Sequence, residues 1–253
     1  MEENLEFSDL LRLIDERSAA FRDAVAAAPS LDAQVPTCPE WTLFDLAVHI
    51  GEGRRDWAAT VAAGPAPAKS AAQGAPAAPR EREALLAWLA ESTAQLLDAL
   101  REAGPDRGCW TWWETSQSPA TTGAVARHQL QQMAVHTYDA QITVGAAQPL
   151  PDEVALDGVD EFLATCCATT SPWPHRPATV DYHATEGRSW RLALSADGAR
   201  VTRGSAPTAA DATAWGTANE LVLFFYGRIS VDALKHDGDR RVFEQLIAWD
   251  PDE

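Results

Sequence analysis

The 253 residues carry 37 acidic against 20 basic side chains, a net charge of −17. A field of that sign repels nucleic-acid phosphates and anionic membrane surfaces, and no basic run offers a local exception. At roughly 100–200 residues per domain, the length fits one large domain or two small ones, and such a chain buries enough surface to fold without a disulfide or a metal. No run of about 18 apolar residues predicts a membrane span. The acidic start, MEENLEFSDLL, has none of the basic character of a signal peptide. Cys38, Cys109, Cys166 and Cys167 lack CxxC spacing, so a reduced, cytoplasmic protein is expected.

Taken in chain order, residues 8–27 place Leu10, Leu11, Ile14, Phe21 and Val25 near a helical repeat. Three prolines make 28–40 a loop. Thr42 has the form of an N-cap, with Asp45 three residues on as a short capping-box acid, and opens a second helix to about 63. Residues 64–79, GPAPAKSAAQGAPAAP, predict a mobile connection. A third helix spans 80–102, with Leu85, Leu86, Leu89, Leu96, Leu97 and Leu100 on its apolar side. After a loop over 104–119, a fourth helix spans 121–144. Four amphipathic helices joined in this way predict an antiparallel bundle. Past Gly145 the pattern changes to a helix over 152–167 and short strands over 178–185, 189–195 and 200–203. The turn Ala196-Asp197-Gly198 suits a hairpin. Helices over 208–226 and 239–249 close the chain. The fold class expected is α+β: an N-terminal four-helix bundle over 1–148, then a smaller α+β domain with a short antiparallel sheet over 149–253.

The fourth predicted helix aligns His128, Gln132 and His136 at i, i+4 and i+8 along one face. Each step of four residues rises about 6 Å, so two successive members can meet one ligand but hardly all three. His49 sits in an apolar stripe of the second helix and is expected to point into the bundle. Inward histidines on different helices are how bundles assemble metal sites, although a single histidine on an apolar face is more often a hydrogen-bonded core residue. Trp110, Trp112 and Trp113 read first as packing, and so do the adjacent Cys166 and Cys167. Cys38 precedes a helix N-terminus, which lowers a thiol pKa, but no histidine neighbours it in sequence to mark it as a nucleophile. No Gly-rich phosphate loop and no G-x-S-x-G elbow is present.

The run Cys38-Pro39-Glu40-Trp41-Thr42 followed by Leu46-Ala47-Val48-His49-Ile50-Gly51 resembles the start of the mycothiol-dependent maleylpyruvate isomerase family, within the DinB-like group of metal-binding four-helix bundles. Ala134-Val135-His136-Thr137-Tyr138-Asp139-Ala140 is similar to the family's fourth-helix motif. Gly227-Arg228, Asp232-Ala233-Leu234 and Asp237-Gly238-Asp239 resemble the close of its smaller domain. The resemblance spans nearly the whole chain. It implies a divalent metal, usually zinc, held by His49, His136 and a glutamate whose position is Gln132 here. A neutral amide is a poor zinc ligand, so the site is either lost or completed by water, by His128 or by Glu52; His128 lies about 12 Å along the helix from His136, so Glu52, one turn beyond His49, is the better candidate. It also implies mycothiol as thiol cosubstrate, adding to the C=C bond of a cis-enedioate before rotation and elimination. Arg228 would bind the substrate's carboxylate through a bidentate fork; an interdomain salt bridge is the alternative role. The expected function is a metal- and mycothiol-dependent isomerase or thiol transferase acting on a small anionic or electrophilic molecule. The alternative is a non-catalytic small-molecule-binding protein that lost the metal with the glutamate. Neither nucleic acid nor membrane is an expected partner.

Overall fold

The structure is a computed structural model that describes residues 5–67, 77–204 and 208–251. The connection expected to be mobile over 64–79 lies for the most part outside the described residues. Two compact units divide the chain, Met1–Trp112 with Ala120–Leu150 and Trp113–Pro119 with Pro151–Glu253. No helix among the described residues is long and apolar enough to cross a membrane.

The first unit is a four-helix bundle of α1 (Phe7–Ala27), α2 (Leu43–Ala63), α3 (Arg82–Ala103) and α4 (Thr122–Thr143). Helices α1 and α2 each pack against both α3 and α4. Their starts follow from local chemistry. Thr42 and Asp45 form a reciprocal capping box that satisfies two orphan backbone donors of α2, and Thr121 caps α4 by accepting from Ala124 N–H. In α2, Leu43, Leu46, Ala47 and Ile50 fall on one buried face and meet Phe21, Val25, Leu85, Leu89 and Met133. Gly51 continues that face because the Trp88 ring lies where a Cβ would stand. The bundle also buries a guanidinium. Arg54 is 4% exposed and donates to Ser18 Oγ at 2.7 Å and to Thr93 Oγ1. Burial pushes its guanidinium down to about 9, so it remains charged at neutral pH.

The second unit places α5 (Asp152–Phe162) and α6 (Ala218–Phe225) together beside a five-stranded sheet of order β3-β2-β1-β4-β5. The strands are β1 (Ala178–Ala184), β2 (Ser189–Ser195), β3 (Gly198–Arg203), β4 (Ala212–Gly216) and β5 (Lys235–Gly238). Helix α7 (Arg240–Ala248) follows β5. Period-two alternation buries Val180 and Tyr182 of β1 opposite Leu192 and Trp190 of β2. Between these pairs Asp181 faces Arg191, joined by two bonds of 2.6 Å. Buried Asp160 of α5 ties the helix to the strands by accepting from Trp190 Nε1, Arg188 and Arg203. Gly198 opens β3 at φ 108°, a conformation only glycine adopts freely, and Thr169 O lies where its Cβ would stand.

Three features differ from the sequence reading. The span read as one helix over 208–226 is β4 followed by α6. Alanine-rich composition favours helix there, but Ala212 and Ala214 are small enough to pack on the inner face beside β1, and the Thr217–Glu220 capping box restarts the helix. The sheet is only mostly antiparallel, because β4 runs parallel to β1. The helix read to 167 leaves α geometry after Phe162 and ends in a π turn, Leu163–Cys167, closed by Ala168 N–H to Leu163 O at 2.9 Å.

Candidate functional site

The best-formed polar constellation of the first unit gathers the loop before α2, the second turn of α2 and the C-terminal half of α4. The loop is pinned by Gln34, whose Nε2 donates to the carbonyls of Pro39 and Trp41 at 2.7 and 2.6 Å. Pinning sets Thr37, Cys38 and Trp41 against the bundle. Thr37 Oγ1 donates to Asp139 Oδ1 at 2.6 Å, and the Cys38 thiol lies 3.9 Å from Asp139 Oδ2. Asp139 is fully buried and takes a third contact from its own helix, with His136 Nδ1 2.9 Å from Oδ2. The Asp139 carboxylate can only accept, so the proton of a neutral His136 belongs on Nδ1 and Nε2 carries the free lone pair.

His136 is 7% exposed. Its ring centroid lies 5.2 Å from that of His49, the two rings edge to face, and Trp41 covers the flank of His49 at 4.8 Å. His49 was expected to point into the bundle; it is exposed instead, because it stands beside the buried stripe of Leu46, Ala47 and Ile50 rather than in it. Partial cover by its neighbours and then the adjacent His136 push its pKa down to about 4, so at neutral pH it is a neutral imidazole. The arrangement thus offers an oriented acceptor nitrogen, backed by a buried carboxylate, next to a solvent-facing imidazole. That is the layout of a general base or of a metal-ligating histidine with its supporting carboxylate.

The donor set fits the base better than it fits zinc. Gln132 is half-buried on α4 and brings an amide rather than a carboxylate. Glu52 is half-buried on α2. Among the described residues no group of three or more His, Cys, Asp and Glu side chains comes together to hold a metal ion, so Glu52 does not complete a set with His49 and His136. Two imidazoles and a neutral amide fall short of the three strong donors a zinc centre uses.

His128 lies elsewhere on α4. It is buried between Trp112 at 5.6 Å and Trp57 at 6.2 Å. Trp110 and Trp112 of the first unit are exposed, whereas Trp113 is buried in the second. Arg228 belongs to the second unit, just past α6, where its Nη1 donates to Tyr226 O at 2.6 Å. Sequence reasoning passed over Asp139, Thr37 and Trp41 as parts of a site. The i, i+3 spacing of His136 and Asp139 was available as a signal, since such residues share a helix face. Nothing in the sequence marks Thr37, which reaches Asp139 across 102 residues.

Comparison with known proteins agrees with this architecture. The family described as "Mycothiol maleylpyruvate isomerase N-terminal domain" matches residues 11–141, and "MDMPI C-terminal domain" matches 153–245. Among solved structures, mycothiol-dependent maleylpyruvate isomerase is similar at a TM-score of 0.56 with 13% identity, covering 92% of this chain and 93% of that one. A histidine-to-alanine mutant of that enzyme is similar at a TM-score of 0.58 with 12% identity and the same coverage. At such identities the structural likeness establishes the fold. No curated protein matches the sequence. With the two domain matches in order along almost the whole described chain, the protein belongs to the mycothiol maleylpyruvate isomerase family.

Proposed function

We propose that this protein is a mycothiol-dependent enzyme that isomerises, or transfers a thiol to, a small electrophilic and anionic substrate, with His136 as the base. The observation that carries the reading is the buried Asp139 holding His136 through Nδ1, which leaves Nε2 as an acceptor beside exposed His49. No step is routed through a metal, because the donor set does not fit one.

His136 Nε2 takes the proton of the mycothiol thiol. The thiolate adds to one carbon of the substrate's C=C bond; the C–S bond forms as the π pair moves to the conjugated carbonyl oxygen. Rotation about the resulting single bond follows. The enolate pair then re-forms C=C in the trans arrangement and expels the thiolate, which recovers its proton from His136. In the transfer variant His136 delivers the proton to carbon and the C–S bond stays. Neutral His49, with Trp41 against its flank, lies beside the base without competing for the thiol proton. Chemistry through a thiol suits a reduced, cytoplasmic setting, and none of the four cysteines here is in a disulfide.

The test is turnover of maleylpyruvate with and without mycothiol. Mycothiol-dependent isomerisation is expected, and His136→Gln is expected to lower kcat by about 10²–10⁴-fold, the range of a lost general base. Full activity in the variant removes His136 from the mechanism, and turnover that ignores mycothiol removes the thiol. Gln132 favours a second reading, a binding protein of the same family without catalysis. That reading predicts saturable mycothiol binding with no turnover of any cis-enedioate.

A further inference from the structure

The second unit contains a cavity of about 420 Å³ that the thiol chemistry does not use. Its aromatic walls come from α5, α6, β1 and α7. Phe162 of α5 stacks on Phe225 of α6 at 5.1 Å and 8°, Tyr182 of β1 meets Phe225 edge to face at 4.9 Å, and α7 closes the side with Phe243 and Ile247. An apolar cavity of about 150 Å³ holds one benzene ring, so this one has room for two or three fused rings.

The electrostatics of the lining select against an anion. The ionised residues among those described around the cavity are Arg240 and Glu244, and these already pair with each other at 3.2 Å. Arg240 is further held by both oxygens of Asp232. Its one positive charge is therefore matched by two carboxylates, which leaves nothing to attract an anion. Cys166 and Cys167 also line the cavity. Burial pushes both thiols up, Cys167 to about 12, so they stay protonated and neutral.

A separate observation comes from the backbone. The π turn Leu163–Cys167 is the segment that carries both cysteines onto the cavity wall. π turns are rare interruptions of α-helices, and they recur at functional sites. Ile247, at the edge of the cavity on α7, is 70% exposed and offers an apolar side chain at the mouth. We propose that this cavity is a binding site for a small neutral aromatic molecule of about two fused rings, seated between Phe162, Phe225 and Phe243 against the thiols of Cys166 and Cys167.

The test uses the full chain, 2-naphthol as probe and neutral iodoacetamide as thiol reagent at about pH 8.5 over hours, because only the small thiolate fraction reacts, with site-resolved mass spectrometry. At about ten times its Kd, 2-naphthol should slow alkylation of Cys166 and Cys167 about tenfold and leave Cys38 unchanged. Unchanged rates at Cys166 and Cys167, or equal slowing at Cys38, overturn the proposal. 2-Naphthoate, with the same rings and a carboxylate, should protect at least about tenfold less well; equal protection overturns the assigned class. Ile247→Glu keeps its thermal melt, being exposed, and should weaken protection by 2-naphthol; undiminished protection overturns the placement of the mouth. Calorimetric titration with 2-naphthol reads the same event without thiol chemistry. One site is expected, and absence of binding heat together with absence of protection overturns the proposal.

Discussion

His49 and His136 show how the same side chain acquires two characters from its surroundings. His136 has a buried carboxylate on Nδ1; His49 has a tryptophan face and another imidazole. His49 is therefore harder to protonate in the folded chain than in the unfolded one, about 4 against 6.5. Between those values the unfolded chain binds more protons, so stability falls as pH falls through that window. His49→Gln should flatten the dependence of Tm on pH between about 6.5 and 4, and a curve parallel to that of the parent protein would show that the ring is not desolvated as described. Gln132 carries the second expectation at this scale. Gln132→Glu restores a carboxylate one turn before His136, and should raise zinc affinity at least about tenfold in equilibrium dialysis, in line with ligand-level effects on metal sites. Unchanged affinity would mean that residue 132 cannot act with the two histidines on one ion. His49, Gln132 and His136 were legible in the sequence because helical spacing is a local property. The loop contacts of Thr37 and Cys38 with Asp139 were not, since no local rule joins residues about a hundred positions apart.

The helices of the bundle were read nearly to their ends because each carries its own signals. Thr42 with Asp45 starts α2, and Gly104 ends α3 at φ 70°. The sheet was read less completely. β1, β2 and β3 alternate visibly, whereas β4 is ATAWG, whose strand character comes from lying beside β1. The two-residue alternation of β5, KHDG, is too short to register. One element-level expectation concerns α2. Arg54 is buried in the bundle core with hydroxyl partners, and those hydroxyls also donate to the carbonyls of Ile14 and Leu89. Arg54→Met removes the buried charge and leaves Ser18 and Thr93 satisfied. It should raise stability in urea unfolding by about 1–2 kcal/mol, as replacements of buried ionic groups by apolar ones of similar volume do. A loss of stability would mean that the guanidinium contributes more through its hydrogen bonds than it costs in desolvation.

At the scale of the whole molecule the dominant number is the net charge of −17. Like charges distributed over one folded chain repel each other, and salt screens them over about 10 Å at 0.1 M. Raising ionic strength from about 0.01 to 0.3 M should therefore raise Tm by about 2–4 °C, equivalent to about 1 kcal/mol for a chain of this size. A Tm that falls with salt would mean that attractive pairs such as Asp160 with Arg188 and Arg203 outweigh the general repulsion. An anionic substrate would enter against the same field, which makes the placement of local hydrogen-bond donors and cations decisive for binding.

By itself the sequence determined the periodic features: four helices with the cap of α2, the β1–β3 meander, the order of a helical part before a mixed part, and the family. Each of these depends on spacing within one short stretch, on composition or on motifs in order. Tertiary structure alone decided which groups share a site. It brought Thr37 and Cys38 onto Asp139, left His49 at the surface, turned 212–216 into a strand beside β1, and arranged the aromatic cavity from α5, α6, α7 and β1. These depend on packing between segments far apart in the chain, where the energy of a contact is fixed by neighbours that no local pattern names.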